Sequence, residues 1–79
     1  MEIHQEYRTE DIVLAASLRC HGYQLTSIDR SGNSSKGIFV FNDVSESFIR
    51  DYDLGKVTVE PVAFNNNIKQ LTTSVRRMV

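Results

Sequence analysis

The sequence predicts a small α+β domain, and three stretches carry that expectation. Residues 11–21, Asp-Ile-Val-Leu-Ala-Ala-Ser-Leu-Arg-Cys-His, read as a helix apolar on almost every side. Residues 37–41, Gly-Ile-Phe-Val-Phe, form a short apolar run of strand length, rich in β-branched and aromatic residues. Phe64, Ile68, Leu71, Val75 and Met78 recur at spacings of four, three, four and three, the stripe of an amphipathic helix.

Taken in order, residues 2–7 admit a short strand, with Ile3 and Tyr7 on one side and His4, Glu6 and Arg8 on the other. Thr9 is the expected N-cap of the first helix. Glu10 and Asp11 then place negative charge at the positive end of its dipole. At 100° per residue, Leu14, Ala15 and Leu18 fall on one face, while Ile12, Val13, Ala16 and Cys20 spread over the other. Only Asp11, Ser17, Arg19 and His21 interrupt them, and Gly22 supplies a left-handed stop.

Residues 23–29 read as a strand, residues 30–36 as a polar hairpin loop, and residues 37–41 as the central strand, covered on both faces. Asp43 is the expected cap of a second helix, with Glu46 as the return half of a capping box and Val44, Phe48, Ile49 and Tyr52 as its stripe. Gly55 ends it. Residues 56–59 admit another short strand. Pro61 sits in the first turn of the last helix, where no donor is lost, and that helix runs to Arg77. The expectation is one domain, residues 1–79: a small, mainly antiparallel sheet around a central hairpin over 23–41, with three helices. Leu14, Leu18, Phe39, Phe41, Phe48, Ile68 and Leu71 should be buried.

The totals bound the function. In 79 residues a single core supplies only about 3–5 kcal/mol, so oligomerisation becomes attractive. The one cysteine, Cys20, cannot form an internal disulfide, which fits a reducing compartment. Net charge is −1, so no strong overall field favours nucleic acid or an anionic membrane. No apolar run approaches the ~18 residues of a membrane span. The expected location is the cytoplasm.

Cys20 and His21 are neighbours on a helix and point about 100° apart, so they cannot chelate one ion together. No serine lies in a G-x-S-x-G turn. Asp51 and Asp53, two apart, do not face each other. The glycines lack the spacing of a phosphate cradle. The chain therefore reads as a non-catalytic domain without metal or cofactor, acting by binding another macromolecule. A protein partner, a second copy included, is expected at Ile12, Val13, Ala16 and Cys20, the helix face with no evident cover. The alternative is nucleic acid held by Arg30, Lys36, Asn65, Lys69, Arg76 and Arg77 from the last helix and the 30–36 loop.

The run Tyr7-Arg8-Thr9-Glu10-Asp11-Ile12-Val13-Leu14-Ala15-Ala16-Ser17-Leu18, then His21-Gly22-Tyr23-Gln24-Leu25, resembles a small uncharacterised domain family of prokaryotes and their viruses. That family opens on a pattern like T-x-D-x-x-L-A-A-x-L. Its later parts are matched by Ile28-Asp29-Arg30, by Phe39-Val40-Phe41 with Asp43, by Val57-Thr58-Val59-Glu60-Pro61, and by Phe64, Ile68 and Leu71. The resemblance spans roughly residues 7–78. It implies a whole-domain fold and a viral or mobile-element setting, and it transfers no function and no catalytic position; inhibition of a host protein is one concrete form that the expected protein binding takes in such a setting. Thr72 and Thr73 stand where family members often carry lysine.

Overall fold

A computed structural model describes residues 5–30 and 37–77. The order is β1 (Glu6–Thr9), α1 (Ile12–Cys20), β2 (Leu25–Arg30), β3 (Gly37–Asn42), α2 (Glu46–Asp53) and α3 (Pro61–Arg77). The sheet order is β1-β3-β2, and β3 is antiparallel to both neighbours. The two edge strands are thus parallel to each other, with α1 as the crossover between them and β3 inserted in the gap.

Side chains alternate along each strand. The register places Tyr7 and Thr9 of β1 and Leu25 and Ile28 of β2 on the face of Phe41 and Phe39. Leu25 and Ile28 are three apart, so a regular strand would put them on opposite faces. A bulge between Leu25 and Ser27 restores them to one face. The Thr26 hydroxyl donates to the Val40 carbonyl at 2.9 Å, so the irregular step keeps a hydrogen bond.

Leu14, Ala15, Ala16 and Leu18 of α1, Phe39 and Phe41 of β3, and Leu71 of α3 form the buried core. Phe48 and Ile68 were expected there too but are half-buried, because α2 and α3 pack along the flanks of α1 and contribute their inner edges. All three helices contribute to the Phe39–Phe41 side. The opposite face has no helix among the described residues. Val40, on that face, is nonetheless 2% exposed. Arg8 pairs with Val40 in register and forms a 2.6 Å ion pair with Asp29, so this bridge spans from β1 to β2 over the central strand.

Asp11, not Thr9, caps α1: its carboxylate accepts from the Val13 and Leu14 amides at 3.0 and 3.3 Å. Thr9 instead closes β1 opposite Phe39, and its hydroxyl accepts from the Asp11 amide. At the other end Gly22 (φ +90°) turns the chain, and the Gly22 and Tyr23 amides return to the Arg19 and Leu18 carbonyls. Helix α2 ends the same way, through Gly55 (φ +73°).

Ser45, not Asp43, caps α2, its hydroxyl accepting from the Ser47 amide. The chain must first turn sharply out of β3. Asp43 does this at φ +58°, a conformation aspartate tolerates better than most residues. Its amide donates to the Gln5 carbonyl.

Residues 56–59 form no strand. They pass the C-terminal end of α1, while Tyr52 of α2 reaches its N-terminal end. Tyr52 donates to the Asp11 carboxylate at 2.9 Å just before this segment, and His21 Nε2 donates to the Thr58 carbonyl at 2.8 Å within it.

Gly37 is required by contact. A β-carbon there would lie 2.8 Å from a Val75 methyl and 3.1 Å from an Ile28 methyl. Both neighbours are β-branched and stiff. Gly37→Ala should cost about 1–3 kcal/mol in denaturant unfolding. Val75→Ala in the same chain should recover part of that loss, and simple additivity of the two changes would contradict the contact.

Burial, and then the hydrogen bond to Asp11, push the Tyr52 phenol up to about 12. Burial and then the charges of Asp53 and Asp11 raise Tyr7 as well. The folded chain keeps the Tyr52 proton where the unfolded chain, with its ordinary value of 10.0, releases it. The resulting stabilisation is complete below that ordinary value and is lost as pH rises towards about 12. Tyr52→Phe should flatten this alkaline loss in thermal unfolding followed against pH.

Candidate functional site

The face of α1 read as uncovered is largely used within the domain. Ala16 is fully buried, and Ile12 packs against the core. Cys20 is half-buried beside α3, where the Asn67 side-chain amide lies 3.5 Å from its sulfur. Val13 alone of the four is exposed, at 45%. The cover that the sequence left open is α3, running antiparallel along α1.

Where these two helices meet, further along, they leave an open groove of about 480 Å³ lined by Arg19, Lys69, Gln70, Thr73, Ser74 and Arg77. Lys69, Thr73 and Arg77 are four apart and form one row along α3. From Lys69 to Arg77 the row is about 12 Å long at 1.5 Å per residue. Arg19 approaches from α1. Neither α1 nor α3 carries an acidic residue, while together they carry Arg19, Lys69, Arg76 and Arg77. Among the described residues, Arg19, Lys69 and Arg77 have no acidic partner within ion-pair distance; the ion pairs there are those of Arg8 with Glu6 and Asp29. The acidic residues Glu46, Asp51 and Asp53 belong to α2. A chain of net charge −1 thus concentrates cations in one groove.

The expected nucleic-acid residues are divided by the fold. Lys69 and Arg77 share the groove. Arg76 lines a different, more apolar hollow with Glu10, Ile12, Gly37, Phe39 and Val75. Asn65 is exposed but outside the groove lining, and Arg30 is exposed at the end of β2. Lys36 lies outside the described residues. Arg19 was missed as a contact. Its signal was present: it is the one cation in a nine-residue, otherwise uncharged helix.

Several hydroxyls have structural partners. Ser17 and Ser74 donate to the carbonyls four residues earlier, Val13 and Gln70. Ser45 caps α2. The His21 ring sits 5.1 Å from Phe48, edge-on, and bonds to Thr58. Among the described residues no group of three or more histidine, cysteine, aspartate or glutamate side chains is placed to hold a metal ion. No described helix is long and apolar enough to cross a membrane.

These features define a two-layer α+β domain with a cationic groove on its helical side. The chain belongs to the family described as Domain of unknown function (DUF5659), whose model matches residues 4–76. No curated protein and no solved structure matches it.

Uncompensated cations in a groove repel one another. Thr73→Glu, which sets a carboxylate between Lys69 and Arg77 on the same row, should raise stability by about 0.2–1 kcal/mol at low salt, and by less at high salt. A loss of stability that persists at low salt would contradict the arrangement.

Proposed function

We propose that the domain acts by binding rather than by catalysis, and that its ligand is nucleic acid held by its phosphates in the α1–α3 groove. One observation carries this reading: Arg19, Lys69 and Arg77, from two helices without an acidic residue, line a single groove. Gln70 and Thr73 add the neutral polar contacts that commonly accompany phosphate recognition. Arg76 and Arg77 also complement the dipole of α3, a purely structural benefit. Arg19 gains the same benefit in the last turn of α1, whereas Lys69, in the middle of α3, does not.

Three phosphate contacts imply a definite salt response. Affinity should fall roughly twenty- to fortyfold between 50 and 200 mM salt, read by fluorescence anisotropy on a labelled oligonucleotide. Arg77→Ala should weaken binding across sequences and reduce the salt slope by about one unit. No binding at low salt would remove this reading.

A second reading keeps a protein partner, a second copy or a host protein targeted by a viral or mobile-element inhibitor included. It is favoured by the exposure of Val13, Leu54 (61%) and Val62 (66%). A dimer in light scattering at micromolar concentration, dissociated by Val13→Glu, would support it.

A further inference from the structure

We infer that the groove takes a single strand, not a duplex, with Arg19 joining the phosphate track to an aromatic platform at Tyr23. This rests on the reading of the α1–α3 groove as a phosphate site.

Arg19 lines two concavities. One is the cationic groove. The other, of about 420 Å³, is formed with Gly22, Tyr23, Gln24 and Leu25 at the C-terminal end of α1. The two adjoin at the Arg19 side chain, and neither is lined by a carboxylate. A track therefore leads from Arg77 past Lys69 and Arg19 to Tyr23. Proteins that bind single strands combine these parts: cations along the backbone and an aromatic ring on which a base stacks.

Tyr23 is held in place before any ligand arrives. Its ring meets Phe48 edge-to-face at 5.4 Å, and its hydroxyl accepts from the Ser45 amide at 3.5 Å. Gly22, beside it, has no heavy atom within 4 Å of the position of a β-carbon. The exposed Gln24 adds a side-chain amide at the same spot. The shape argues in the same direction. A duplex is read by an element that enters its groove. Here the cations lie along an open, shallow groove between two helices, and the Lys69–Arg77 row, about 12 Å long, matches a few nucleotides of one strand.

The test uses the full chain and two labelled probes at roughly 50 mM salt: an oligothymidylate of about twelve nucleotides, within the usual site size, and a hairpin duplex of the same length. The single strand should bind at least about tenfold more tightly. Tyr23→Leu should weaken it about five- to hundredfold, as loss of one stacked base does, while leaving the duplex unchanged. Tyr23→Phe, which keeps the ring, should retain the preference. Equal affinity for both probes overturns the single-strand inference and leaves the phosphate groove standing. Binding of neither probe overturns both. A folded Tyr23→Leu chain with undiminished preference overturns the platform. Should that variant fail to fold, the ring-proton resonances of Tyr23 in the unaltered chain decide the matter. They shift upfield when a base stacks, and an unmoved resonance at saturation rules the stacking out.

Discussion

The fold depends on burying one helix. α1 is nine residues long, too short to be stable alone in water, and it is apolar in almost every direction. The sheet takes Leu14 and Leu18, α3 closes over the side of Ala16 and Cys20, and α2 lies along the remaining flank. Both ends of α1 are then tied down: Tyr52 of α2 holds the Asp11 cap, and Thr58, between α2 and α3, holds the His21 ring. α3 is positioned by its contact with this helix, while β1 and β2 are held by their ladders with β3. Ala15 and Ala16, both fully buried, allow that close approach, since larger side chains would hold the neighbouring elements away.

Much of this was legible in the sequence. The last helix runs over the expected residues because Pro61 and the apolar stripe point to the same start and period. The central position of β3 followed from its apolar run, and both glycine stops adopt the left-handed backbone they were assigned. The misreadings share a cause: a local signal was outvoted by tertiary geometry. Asp43 has the side chain of a cap, but the turn out of β3 needed its backbone, so Ser45 took the role. Thr9 was claimed by pairing with Phe39, and Asp11 became the cap. Val57 and Val59 have strand propensity, but the route from α2 to α3 follows α1 rather than a sheet edge. The bulge is not visible to a strict alternation rule, although Leu25 and Ile28, three apart, recorded it.

The groove was half legible. Lys69 and Arg77 were marked by their helix, but a helical wheel sorts residues by angle alone. The sequence offers Lys69, Arg76 and Arg77 together, whereas packing against α1 gathers Lys69, Thr73 and Arg77 on one side of a groove and places Arg76 in another hollow. Arg19, eight positions into an apolar helix, read as an interruption. Its partners are some fifty residues away in sequence, and that proximity follows only from the antiparallel packing of α1 and α3.

The bulge in β2 also bears on how the sheet meets its surroundings. With β3 in the middle, both β1 and β2 are edges among the described residues, and a three-stranded sheet offers two rows of backbone groups to any passing strand. β1 is only four residues long and directs the charged Glu6 and Arg8 outward. β2 is longer, and there the extra residue at Thr26 breaks the even ladder that a foreign strand would have to match. The same step that turns Ile28 into the core thus makes the longer edge a poor template for lateral growth. One residue shapes both the interior and the outer edge of the sheet.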